Sequence, residues 1–176
     1  VQCSVMKLLV HVHDLPMWSL PDAQVERLRA ALPDVQVVCA RDYAQAEREL
    51  VDADVALAPR MRPEALAGAT RLRWVHTTAV GVDWLPRQAL AARDIPVSNT
   101  RGVHADMLAE HALALVLALR RLLPQAEERR RERVWAQEEL AALPIPRLQQ
   151  TTLVVVGLGE IGARVARWAA GLGMTV

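Results

Sequence analysis

The stretch that decides the fold is TTLVVVGLGEIGARVARWAAGLGMTV, residues 151–176. Apolar β-formers lead into Gly157-Leu158-Gly159-Glu160-Ile161-Gly162, a helix-like run follows, and the last residues begin another strand. Gly157 permits a tight turn out of a strand over 153–156. Gly159 has no side chain, so a pyrophosphate can approach the backbone, and Gly162 lets the helix pack close to the sheet. The helix N-terminus offers unpaired N–H groups and a partial positive charge. A bare Gly-x-Gly-x-x-Gly also occurs as a plain glycine turn. Here it stands between a strand and a helix, the context that a dinucleotide site requires. Its cofactor-binding candidates are Gly157, Gly159, Glu160, Ile161 and Gly162. The acidic residue that would hold the adenosine ribose is expected about 20 positions further on, at about residue 177. That lies past Val176, so NAD and NADP are not told apart.

Working back from this turn, strand-like and helix-like patterns alternate. Residues 6–13, 35–40, 55–58, 73–78 and 95–99 read as strands; 21–32, 43–50 and 84–92 read as helices. Short strands separated by helices imply an α/β fold, a flavodoxin- or Rossmann-like parallel sheet over about 5–98, followed by the start of a Rossmann domain. The domain division expected is 1–98 and 99–176. Residues 104–139 read as one long helical stretch, apolar in its first half and charged in its second, with Pro124 kinking or breaking it. Residues 1–5 read as an extension upstream of Met6.

Composition narrows the function classes. Of 176 residues, 52% are hydrophobic and 23% charged, ordinary for a globular chain, and a formal net charge of +1 gives no case for a polyanion partner. Lys7 is the one lysine, so almost all basic charge is arginine. Cys3 and Cys39 form no metal-type spacing, and a reduced cytoplasmic setting is the default. No apolar run approaches the ~20 residues of a membrane helix.

Three other patterns carry candidate chemistry. Thr77-Thr78-Ala79-Val80-Gly81-Val82-Asp83 follows a strand, where parallel sheets place ligands, and a glycine there lets successive N–H groups face an anion. Taken alone, the same residues make a plain strand-to-helix turn with Asp83 as cap. His11 and His13 share one strand face, but two imidazoles are too few for a closed metal site, so no metal is expected. Adjacent Glu110 and His111 point about 100° apart on a helix and are read as structural. The run Arg129–Arg133 interleaves with Glu127, Glu128 and Glu132, which suits a solvated helix and not nucleic acid.

LRWVHTTAVGVDWLP (72–86), IPVSNTRGVHADMLAEHALALVLALRR (95–121) and residues 133–176, in this order and spacing, resemble the D-isomer-specific 2-hydroxyacid dehydrogenase family. The resemblance covers essentially the whole chain but only about the first half of a family member. Gln150-Thr151 is a small departure, where the family has a glycine and a small or basic residue. The resemblance implies that the Val80 and Gly81 amides hold a substrate carboxylate, that Asn99 lies near the nicotinamide, and that Leu108 packs against that ring. It also implies a homodimer through 104–139, NAD or NADP as cofactor, and small 2-hydroxy or 2-keto acids as substrates. The family's catalytic arginine, glutamate and histidine fall in the later cofactor domain, so no catalytic residue is expected within this chain, and the chain alone is expected to be inactive. The rival expectation is a non-enzymatic dimerising or nucleotide-binding remnant. The lack of an obvious basic pair beside the nest speaks faintly against a phosphorylated substrate.

Overall fold

A computed structural model describes residues 5–13, 19–145 and 147–176. The chain divides into two compact units, Val1–Arg101 and Gly102–Val176. Of the expected upstream extension over 1–5, only Val5 lies within the described residues.

The first unit is a five-stranded parallel sheet in the order β2-β1-β3-β4-β5. Its strands are β1 (Met6–Val10), β2 (Val35–Cys39), β3 (Val55–Leu57), β4 (Trp74–Thr77) and β5 (Val97–Asn99). They alternate with helices α1 (Asp22–Ala31), α2 (Tyr43–Leu50), α3 (Pro63–Gly68) and α4 (Arg87–Ala91). Register explains the core. Val38, Leu9, Ala56, Val75 and Val97 are successive neighbours across the sheet, so their side chains share one face. Leu50, Leu66 and Leu90 from α2, α3 and α4 join Leu9, Ala56 and Val75 in one buried cluster. The row on the opposite face runs Val10, Leu57, His76 and Ser98. It is buried at Val10 but only half-buried at His76, and Trp74 on that face is exposed.

At the amino edge of the sheet, Lys7 is buried and its Nζ pairs with Glu49 at 2.8 Å and with Asp52. Asp54, also buried, accepts from the Lys7 backbone amide at 2.9 Å and from the Arg71 guanidinium at 2.7 Å. Buried charges are tolerated when paired and hydrogen-bonded in this way. The carboxyl edge is left clear of this network.

The second unit contains α5 (Ala105–Arg120), α6 (Leu123–Arg131), α7 (Gln137–Ala141), a 3₁₀ turn at Leu148–Gln150 and α8 (Glu160–Gly171). The long helix expected over 104–139 is therefore three helices. The chain breaks at Leu122, which adopts φ of 55°, before Pro124. Pro124 sits in the first turn of α6, where its missing N–H costs nothing. α3 was not anticipated, because six residues are too few to display a helical period. The strand expected over 153–156 makes no ladder; only Thr152 bridges Thr175, in parallel. Beside that bridge, the Thr175 carbonyl accepts from Leu153 N–H at 2.7 Å. The helix expected over 84–92 begins at Arg87 behind Pro86, and Asp83 does not cap it. Its carboxylate instead lies 3.8 Å from the Arg87 guanidinium.

Candidate functional site

The two candidate sites fall in different units. In the first unit, β4 and β5 end side by side, with Thr77 paired to Asn99. The loop after β4 is tied down by three polar contacts. Ala79 N–H donates to Thr77 Oγ1 at 3.2 Å, Thr100 Oγ1 donates to the Thr78 carbonyl at 2.8 Å, and Asn99 Nδ2 donates to the Val80 carbonyl at 2.6 Å. A trans peptide points its N–H opposite to its C=O. Fixing the Val80 carbonyl on Asn99 therefore turns the Gly81 N–H away from that side chain. Among the described residues, neither the Val80 nor the Gly81 amide donates to a protein acceptor. A side chain at Gly81 would meet only the Asp83 carboxylate at ordinary contact distance, 3.5 Å, so the glycine is not demanded by crowding on the protein side.

Beside this loop lies a cavity of about 350 Å³ lined by His11, His13, Pro59, Arg60, Ala79 and Trp84. The strand expected over 6–13 ends at Val10, so the two histidines do not share a strand face but lie just past the carboxyl end of β1. His11 is buried, with Nδ1 3.4 Å from the Ala40 carbonyl. Among the described residues, no cluster of three or more metal-ligating side chains occurs. Arg60 is the residue that sequence reasoning missed. Its guanidinium lies 4.2 Å over the ring of Tyr43, whose hydroxyl is pushed up first by burial and then by the nearby Glu47 carboxylate. The usable signal was position: Arg60 follows the carboxyl end of β3 by three residues, the edge where α/β sheets bind ligands. His76 is held by its neighbour strand, Nδ1 lying 2.8 Å from Ser98 Oγ.

In the second unit, Gly157 has φ of 93°, a conformation that L side chains rarely adopt. Gly162 has no room for a side chain, since an added Cβ would overlap the Gly157 carbonyl oxygen and lie 3.2 Å from Val155 Cγ1. An added Cβ at Gly159, by contrast, meets nothing within 4 Å. The turn is therefore closed on the protein side at Gly162 and open at Gly159. The first amide spent within α8 is that of Ala163, which donates to Gly159 at 2.9 Å. The Ile161 and Gly162 amides precede it, at the end where a helix presents unsatisfied donors. These residues fit a dinucleotide pyrophosphate. Leu108 belongs to the same unit, on α5, and is half exposed at 46%.

A parallel α/β unit with a free amide pair at its carboxyl edge, followed by a unit with a glycine turn that opens a helix, is the pattern of a two-unit nucleotide-binding α/β protein. Comparison with known proteins makes this specific. The catalytic-domain model of the D-isomer specific 2-hydroxyacid dehydrogenases matches residues 2–142, and their NAD binding domain model matches 113–176. The chain belongs to the D-isomer specific 2-hydroxyacid dehydrogenase family. It is 34% identical over 151 residues to D-3-phosphoglycerate dehydrogenase of Mycobacterium tuberculosis, covering 86% of this chain and 25% of that protein. It is 35% identical over 131 residues to glyoxylate reductase of Thermococcus litoralis, covering 72% and 40% respectively. The solved structure of D-lactate dehydrogenase from Aquifex aeolicus, complexed with NAD and lactic acid, superposes with a TM-score of 0.76 at 26% identity, covering 95% of this chain and 49% of that one. The chain thus spans well under two thirds of the length of these relatives. Among the described residues, no helix is long and apolar enough to cross a membrane.

Proposed function

We propose that these residues form the substrate domain, 1–98, and the opening of the cofactor domain, 99–176, of an NAD(P)-dependent enzyme that interconverts 2-keto acids and D-2-hydroxy acids. The observation that carries this is the pair of unspent amides at Val80 and Gly81, held at the carboxyl edge of the sheet by the Asn99–Val80 hydrogen bond. Two successive backbone N–H groups left without a protein acceptor can bind a carboxylate by charge-assisted hydrogen bonds. With the carboxylate anchored, the substrate's remaining group extends into the cavity walled by His11, Arg60 and Trp84. Arg60 brings a cation to that wall, which removes the sequence-level argument against a phosphorylated substrate and leaves the particular 2-keto acid open.

For the cofactor, the amides at the start of α8 and the open space at Gly159 hold the pyrophosphate, and by family resemblance Leu108 packs against the nicotinamide. When bound, the nicotinamide supplies or accepts the hydride. A general acid/base and a cation at the carbonyl oxygen are also required. By family resemblance those are an arginine, a glutamate and a histidine of the later cofactor domain, and no residue among these 176 takes their place. The 176 residues alone then bind ligands without turnover. Residues 104–139 serve a homodimer.

A second reading is a non-catalytic dimerising remnant, favoured by the exposure of Met107, Leu115 and Leu119 on α5 and of Trp135. The deciding experiment is the intact mass of the native product, followed by an assay of NADH- and NADPH-dependent reduction of glyoxylate and hydroxypyruvate. A mass well above 19.4 kDa with turnover supports the enzyme. A mass near 19.4 kDa without turnover supports the remnant.

A further inference from the structure

We infer that Arg164 is a positioning residue for the dinucleotide phosphates, holding the Glu160 carboxylate back along α8 and neutralising it so that the helix N-terminus stays open to an anion. The inference rests on the cofactor reading above. Glu160 is the first residue of α8, directly before the Ile161 and Gly162 amides offered to the pyrophosphate. A carboxylate there suits the helix dipole but opposes a second anion at the same end. Left to itself, an ionised Glu160 would compete with the phosphates for these N–H groups.

The structure meets this conflict one turn along the helix. Arg164 Nη1 donates to Glu160 Oε2 at 2.7 Å and to the Glu160 carbonyl at 2.8 Å. Its Nε donates to Asp106, in the first turn of α5. One guanidinium therefore serves two carboxylates. The Arg164 side chain is only 24% exposed, against 52% for that of Glu160. The fork geometry of arginine makes the two contacts from separate nitrogens of one planar group, Nε to Asp106 and Nη1 to Glu160. The Glu160 contact governs charge at the cradle, whereas the Asp106 contact ties α8 to α5, so the two roles are separable by mutation.

The test is NADH affinity of the native product by calorimetry, at about 50 mM and about 300 mM salt, with thermal midpoints recorded in parallel. Arg164→Ala is expected to weaken NADH binding about three- to tenfold at the lower salt, with the loss shrinking at the higher. Adding Glu160→Gln to Arg164→Ala is expected to restore most of the affinity, although the α5 contact stays broken. Asp106→Asn alone is expected to lower the thermal midpoint and leave affinity within about twofold. If Arg164→Ala binds NADH like the parent, or if Glu160→Gln restores nothing, the positioning role is wrong and Arg164 is a structural tie. If the parent itself binds no NADH, the cofactor reading fails, and this inference fails with it.

Discussion

The two units use similar apolar sequence to opposite effect. In the first, Leu9, Ala56 and Val75 sit in one cross-strand row and are covered by Leu50, Leu66 and Leu90. In the second, the buried cluster is Leu113, Ala169 and Met174 with a few half-buried neighbours, while Val156 is 96% exposed and Trp135 88%. The β-formers of 153–156 are at least as apolar as those of β1. Among the described residues they differ in having the single Thr152–Thr175 bridge where β1 pairs at five positions with β2 and at three with β3. Strand propensity becomes buried core only where neighbouring strands and covering helices exist to receive it.

The sharpest test of this contrast is Leu66→Ala. Leu66 is 1% exposed within the first unit's cluster, so its truncation is expected to cost about 2–5 kcal/mol, read by urea unfolding. A loss under about 1 kcal/mol would mean that the first unit's core is much looser than its packing implies. Next in size is Gly162→Ala, whose methyl would collide with the Gly157 carbonyl and force the turn open. It is expected to cost about 1–3 kcal/mol in the second unit and to weaken NADH binding by more than about tenfold. Asn99→Ala frees the Val80–Gly81 peptide to rotate. In the native product its expected signature is a KM for the 2-keto acid raised about fivefold, a larger effect than any on NADH affinity, as suits the loss of about 1 kcal/mol of hydrogen bonding. A change in NADH affinity with no change in KM would remove the nest from the substrate site.

Smaller still is the pH response of the amino-edge charge cluster. The Lys7 ammonium donates to Asp52 and holds its carboxyl below the usual range, against a weaker push from burial. Stabilisation from Asp52 is thus complete above its unfolded value of about 3.9 and is lost as pH falls through the lower folded value. For Lys7, burial pulls the pKa down, but hydrogen bonds to Asp52 and Glu49 outweigh it and the net shift is upward. That contribution is complete below about 10.4 and disappears as pH rises through the higher folded value. First-unit stability should therefore be flat with respect to this cluster between about pH 4 and 10, and Lys7→Met should abolish both arms. Asp52 is largely exposed, so solvent screening keeps its share below about 1 kcal/mol. The smallest effect expected is that of Val156→Ser, under about 0.5 kcal/mol, because the side chain leaves no packed neighbours behind. A large loss there would show that Val156 is covered in the native protein.

Much of the architecture was legible because it is local. The β1 to β5 series, the helix over 43–50 and the glycine turn each announce themselves in a few consecutive residues, through alternation, helical period or the special φ of Gly157. Pro124 was rightly seen as a mark of discontinuity, but the break itself falls at Leu122, whose positive φ no residue preference announces. The carboxyl-edge cavity was only half visible. His11 and His13 were legible as the end of a strand, whereas Arg60 becomes relevant only when β3 is laid beside β1 and β4.

By itself the sequence determined the strand and helix types, the Gly157–Gly162 turn and the family, because each rests on short-range pattern and spacing. The tertiary structure alone decided which amides are left unspent, which way the Val80–Gly81 peptide faces, and that Arg164 holds Glu160 and Asp106 together. Those outcomes depend on hydrogen bonds between residues as far apart as Val80 and Asn99, or Asp106 and Arg164, and only the folded chain brings such partners within reach.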